Sequence, residues 1–246
     1  MRSIGFAGHD FSPYTTAEVF LPAAHGMVPE AREVPGRPGA LLLGGSIPPK
    51  RMRVRLFLDL EDDADADELA GIRHEVAAWL AAGEGAELTL PGEPGLAYRD
   101  VLCTDFSEWD CLFEDGSCEL EFTAFDPVAW GELKAYQYVP QGSDPLGLLV
   151  GGTYRTAPTF ELTAAAGDSV KVACGDRYVE VERAFAGGED VVVDCAARSV
   201  TVDGEDARAD VTLGSDLSLW AEPGFSLFSA EGFDEWYVVM FTERWL

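Results

Sequence analysis

The stretch from Ser117 to Gly131 reads Ser-Cys-Glu-Leu-Glu-Phe-Thr-Ala-Phe-Asp-Pro-Val-Ala-Trp-Gly. From Cys118 to Ala124 apolar and polar residues nearly alternate. Successive strand residues face opposite sides of a sheet, so Cys118, Leu120 and Phe122 share one face and Glu119, Glu121 and Thr123 the other. Asp126-Pro127 stops the strand, because proline has no N–H to give a ladder. Beyond Gly131 the character of the chain changes, and a run of short strands begins after Gly151. The stretch reads as the last strand of a first domain and its exit.

Working outward, Arg51 to Leu60 alternates in the same way. Met52, Val54, Leu56, Leu58 and Leu60 fall on one side, and Arg51, Arg53, Arg55 and Asp59 on the other, the pattern of a half-buried strand. Gly36 to Gly45 predicts a loop or wide hairpin. An acidic run from Glu61 to Glu68 leads into a helix that reaches about Ala82. Asp65 or Asp67 can cap it, Leu69, Ile72, Val76, Trp79 and Leu80 form its apolar stripe, and Gly83 is placed to end it. Ala86–Leu90 and Tyr98–Phe106 read as strands. Residues 132–152, with Pro140, Pro145 and several glycines, read as a connector. Turn signals then recur at Gly167-Asp168, Gly175-Asp176, Gly187-Gly188, Asp203-Gly204, Gly214-Ser215, Pro223-Gly224 and Glu231-Gly232. Short strands at such spacing predict a β-sandwich. The expected division is residues 1–135, a connector at 136–151 and a second domain at 152–246.

Composition bounds the function. The 246 residues carry a net charge of -27, which argues against nucleic acid as a partner, since phosphate binding needs clustered Lys and Arg. No run approaches the roughly 18 apolar residues of a membrane helix, and the first ten residues do not resemble a signal peptide. The odd count of five cysteines (Cys103, Cys111, Cys118, Cys174, Cys195) fits a reduced chain with buried thiols.

Candidate chemical motifs fail on their spacing. Asp63-x-Asp65-x-Asp67 resembles the start of a calcium loop, but the sixth and twelfth positions hold Glu68 and His74 in place of glycine and a bidentate acid. Gly167-Asp168-Ser169 resembles an esterase nucleophile block, yet no histidine follows His74 to serve as its base. His9, His25 and His74 are dispersed, and Cys103, Cys111 and Cys118, expected on strands, lack zinc spacing. No catalytic residue, metal or cofactor is expected. Trp220, Trp236 and Trp245 could stack on sugars, but large aromatics mostly end up buried, so core packing is the favoured reading. A carbohydrate-binding two-domain β protein is therefore the alternative function.

Phe125-Asp126-Pro127-x-Ala129-Trp130-Gly131 resembles the end of the N-terminal domain of the siphovirus distal tail (Dit) family. Val34-Pro35-Gly36-Arg37-x-Gly39, Asp194-x-x-x-Arg198-x-Val200 and the closing Arg244-Trp245-Leu246 are similar to further segments of that family, in the same order. The resemblance implies a mainly β protein: an N-terminal β-sandwich-like domain with one α-helix, plus a C-terminal galectin-like β-sandwich. It implies a structural, non-enzymatic virion protein, assembled in the bacterial host cytoplasm. The N-terminal domains would form a ring, usually a hexamer, between the tail tube protein and the tail-tip hub protein. The C-terminal domains would dock baseplate or receptor-binding proteins. From Arg32 to Arg55 six bases (Arg32, Arg37, Lys50, Arg51, Arg53, Arg55) stand against the single acid Glu33. In a head-to-tail ring such a strip can meet an acidic patch of the next subunit, so Arg32, Arg37, Arg51, Arg53 and Arg55 are the candidate interface residues.

Overall fold

The computed structural model describes residues 3–22, 26–60, 66–139 and 144–246, apart from the side chains of Ala66 and Glu68. The chain divides into two compact units, one ending at Trp130 and one running from Gly131 to Trp245.

The first unit carries short β1 (Gly5–Phe6) and β2 (His9–Asp10), then β3 (Thr15–Phe20), β4 (Val28–Glu33), β5 (Ala40–Ser46) and β6 (Lys50–Leu58). Helix α1 (Ala66–Leu80), β7 (Ala86–Thr89), β8 (Ala97–Asp105), the one-turn helix α2 (Cys111–Glu114) and β9 (Ser117–Ala124) follow. Strands β3, β6, β9, β8, β7, β1 and β2 join in that order, all antiparallel. Register shifts at Cys103/Asp105 and Ala86/Leu88 bend the sheet. It curls enough for Phe6 of β1 to meet Phe122 of β9 edge to face at 5.1 Å, although two strands separate them in the sheet order. That closure makes the sheet sandwich-like around one core.

The alternation of β6 and β9 is realised. Met52, Val54 and Leu56 are buried opposite Phe122, Leu120 and Cys118, while Arg51, Arg53 and Arg55 are exposed. Helix α1 buries Ile72, Val76 and Leu80 as its stripe predicts, and exposes His74. Trp79 gathers His9 (4.5 Å, stacked) and Phe11 (5.3 Å). The helix ends at Leu80, before Gly83, which does not adopt the left-handed conformation expected of a terminating glycine. The proposed cap Asp65 lies outside the described residues.

Strand β10 (Ala129–Tyr138) starts in the first unit, where Ala129 pairs Tyr98, and continues in the second. There follow β11 (Leu146–Val150), β12 (Thr159–Ala164), β13 (Gly167–Cys174), β14 (Arg177–Phe185), β15 (Asp190–Asp194), β16 (Ser199–Val202), β17 (Glu205–Asp206), β18 (Gly224–Glu231) and β19 (Phe233–Trp245). One layer runs β17-β16-β15-β12-β19-β10 and the other β11-β18-β13-β14. Their inner faces share one core, in which Phe228 of the second layer packs on Phe160 and Phe241 of the first at 6.2 and 6.0 Å. This is the sandwich that the turn spacing predicts. Gly167-Asp168, expected as a turn, instead opens β13 beside a register shift.

Residues 136–151, expected as a connector, hold the end of β10 and all of β11. Tyr136, Tyr138, Leu146 and Leu148 pack against the second core. The proline and glycine content masked this apolar pattern.

Local chemistry explains the quoted motifs. Asp126 accepts hydrogen bonds from the Val128 backbone N–H (3.2 Å) and the Trp130 indole N–H (2.7 Å), while the Arg99 guanidinium lies 4.2 Å from that ring. Gly131 must lack a side chain, since a Cβ there would come within 2.5 Å of the Trp245 ring. Pro35-Gly36, with Gly36 at φ 82° and Arg37 N–H bonded to Val34 C=O at 3.1 Å, makes the turn that needs proline second and glycine third. Asp194 accepts from the N–H groups of Ala196 and Ala197, Arg198 takes φ 54°, and Val200 returns to the core. Arg244 C=O accepts from both Thr153 and Tyr154 N–H, with Gly152 folded against the same carbonyl.

Cys118, Cys174 and Cys195 are buried, and burial pushes the thiols of Cys118 and Cys195 up to about 12 and that of Cys174 to about 11. Cys111 sits on α2 rather than on the expected strand. At about pH 8 the buried sulfurs are protonated and shielded, so a thiol reagent should label Cys118, Cys174 and Cys195 only after unfolding. Mass spectrometry of labelled peptides checks this, and rapid native labelling of those three would contradict it. Gly152 holds φ 93° and a Cβ would lie 2.1 Å from Arg244 O. Gly152→Ala should therefore cost at least about 1–3 kcal/mol in urea unfolding of the second unit.

Candidate assembly interface

The basic strip divides into two places. Arg51, Arg53 and Arg55 line the outward face of β6, where Arg53 stands opposite Glu121 and Phe20, and Arg55 opposite Glu119 and Glu18. Arg53 also donates to Glu119 at 3.5 Å. Acids of the same chain thus face two of the three arginines. Both partners of that pair are substantially exposed, so it contributes about 0–1 kcal/mol.

Arg32 and Arg37 lie on the β4–β5 hairpin. It forms a two-stranded sheet by itself, with pairs from Val28↔Ser46 to Glu33↔Ala40. Every residue of both strands is exposed. Met27, Val28, Val34, Leu41, Leu42 and Leu43 are large apolar residues open to solvent here, Leu42 at 69% and Leu43 at 57%. A lone two-stranded hairpin is marginal in water at best, and exposed apolar side chains so concentrated make it the candidate interaction surface of this unit. Sequence reading found the arginines of this segment and passed over Leu41-Leu42-Leu43, whose run inside a glycine-rich stretch was the available signal.

Lys50 leaves the strip. It has the parity of Met52 and Val54, so its side chain enters the core. Its ammonium donates to the Tyr98 hydroxyl at 2.7 Å, and Tyr98 donates to Glu93 at 2.9 Å. Burial pulls the Lys50 pKa down against the opposing pull of Glu93; burial and then Glu93 push the Tyr98 phenol well above its usual range. This chain of hydrogen bonds satisfies a buried charge, and position parity would have revealed it.

The other candidates are not brought together. His9 stacks on Trp79, His74 is exposed on α1, and His25 lies outside the described residues, as do Asp63 and Asp65. Among the described residues no three metal-ligating side chains cluster, and no helix is long and apolar enough to cross a membrane. The three second-unit tryptophans are outside the fully buried core that was the favoured reading. Trp245 covers Gly131, Trp236 is exposed, and Trp220 lies under the guanidiniums of Arg155 and Arg177.

Residues 151–245 match the family model described as the siphovirus-type tail component, C-terminal domain. Among solved structures, the SPP1 Dit protein (gp 19.1), a hub adsorption apparatus protein of phages infecting Gram-positive bacteria, shares the fold. The TM-score is 0.74 over 99% of this chain and 98% of that one, at 17% identity. Chains of the phage p2 baseplate in its activated conformation match with TM-scores of 0.45 (with Sr) and 0.41 (with Ca). Both are 10% identical and cover 92% of this chain and 90% of the other. No curated protein matches the sequence. Residues 151–245 are thus similar to the siphovirus-type tail component C-terminal domain, and the chain shares the fold of the SPP1 Dit protein along nearly its whole length.

Proposed function

We propose that this chain closes into a ring, a hexamer as the distal tail resemblance implies, assembled in the host cytoplasm and placed at the distal end of the tail tube. The ring joins the tube protein to the tail-tip hub protein, and the second units dock baseplate or receptor-binding proteins. No catalysis is needed for this role. The observation that carries the reading is the fully exposed β4–β5 hairpin with its six solvent-facing apolar residues and Arg32 and Arg37. Burying a leucine contributes about 1.5–3 kcal/mol, against about 0–1 kcal/mol for an exposed ion pair. Leu42 and Leu43 therefore supply affinity. Arg32, Arg37 and the β6 row of Arg51, Arg53 and Arg55 set register against acids of the neighbour.

Replacing Leu42 and Leu43 by Asp should abolish the ring and leave a folded monomer. Arg51→Glu with Arg53→Glu should weaken it, more at low salt than at high. Light scattering after size exclusion reads the mass and circular dichroism the fold. A leucine double variant that assembles like the parent would sink the hairpin's role.

The two units are proposed to fold separately, with the boundary at Trp130/Gly131. Residues 131–246 should then unfold cooperatively on their own. Residues 152–246, which lack Tyr136, Tyr138, Leu146 and Leu148 from the second core, should be markedly less stable. Equal urea midpoints for the two pieces would move the boundary back to 152.

A further inference from the structure

The second unit holds a groove of about 420 Å³ at the turn joining β13 to β14, lined also by Trp220, Glu222 and the start of β18. Phe225 and Leu227 line it and are 73% and 43% exposed. Phe225 lies over Gly147 of β11, where a Cβ would come 2.7 Å from its ring. The Cζ–Cε2 end of that ring lies against bare backbone, while the side chain as a whole stays open to solvent.

Trp220 also lines the groove, but its ring is occupied. The Arg177 guanidinium carbon stands 3.3 Å from the ring centre and that of Arg155 at 4.3 Å. The indole N–H donates to Glu222 at 2.8 Å. Trp220 therefore holds an arginine and a carboxylate in place at the groove, and Phe225 is left as the open aromatic surface. Arg177 Nη1 is itself buried without a hydrogen-bond partner, 4.0 Å from the Asp216 carboxylate, while the Arg177 side chain as a whole is 39% exposed. Asp176 and Ser226 complete the polar lining.

We propose that this groove binds a neutral oligosaccharide, one ring stacking on Phe225 and its hydroxyls meeting Arg177, Asp176 and Glu222. A hydroxyl both donates and accepts, so it satisfies a guanidinium and a carboxylate alike. A wholly apolar ligand would strip water from two carboxylates without replacing their hydrogen bonds. An anion would face those same carboxylates on a chain of net charge -27. The volume falls within the usual range for small-molecule sites, about 300–1,000 Å³. The site is independent of ring formation.

The test titrates the full chain with maltotetraose, cellotetraose and chitotetraose, following tryptophan fluorescence and saturation-transfer NMR. At least one sugar should bind saturably. Phe225→Ala and Arg177→Gln should each weaken it about tenfold or more, while Phe225→Tyr keeps it. Phe225 is exposed, so its variants should retain the parent's thermal unfolding. Absence of a saturable response to all three sugars overturns the proposal and leaves the face to protein docking. Binding that survives Phe225→Ala unchanged overturns it as well.

Discussion

The first unit depends on the register between β6 and β9. Eight residue pairs, from Lys50↔Ala124 to Phe57↔Ser117, place every second residue of both strands in the core. A slip of one residue would turn Arg51, Arg53 and Arg55 inward and Met52, Val54 and Leu56 outward. Burying a guanidinium without partners costs several kcal/mol, so three of them would outweigh any ion pair on the sheet. The arginines therefore fix the fold by what they forbid. The same register carries Phe122 to Phe6, the contact through which the sheet closes on itself.

Within that frame, turn chemistry does the local work. The Val-Pro-Gly-Arg turn, the Asp194 hairpin and the Asp126–Trp130 hydrogen bond each involve residues at most six apart, and the three segments stood out in the chain as family-like motifs, although their hydrogen bonds did not. Also legible were the parity of β6 and β9, the stripe of α1, and the strands between the glycine turns of the second half. These signals are periodic or local, and their physics is complete within a few residues.

The remainder depended on partners remote in sequence. Nothing near Gly131 announces that Trp245 will lie on it, or near Gly147 that Phe225 will. Trp220 read as core until two arginines claimed its ring. Residues 136–151 read as a linker because Pro and Gly are visible from sequence, whereas the core that Tyr136 and Leu146 join is not. Lys50 is the instructive case. Its parity with Met52 and Val54 was plain, but its charge counted for more than its position. Only the Tyr98–Glu93 pair, more than forty residues away, shows how a lysine can sit there.

The charge of -27 sets a problem for any assembly of identical copies. At physiological salt, exposed charges more than about 8 Å apart are largely screened, so general repulsion between subunits is modest. Charges brought into contact are not screened in this way; in the proposed ring the basic row would be Arg51, Arg53 and Arg55 on β6, while the β4–β5 hairpin is neutral, with Arg32 and Arg37 against Glu30 and Glu33. Glu119 and Glu121 on β9 partly neutralise the β6 row, and on the hairpin Arg32 stands opposite Leu41, with Glu30 and Glu33 on its own strand. An acidic surface can accept a neutral hairpin with little penalty, while two acidic surfaces repel. The distribution of charge thus favours hairpin-to-body contact over body-to-body contact. In the proposed ring the exposed leucines would determine how strongly that contact holds.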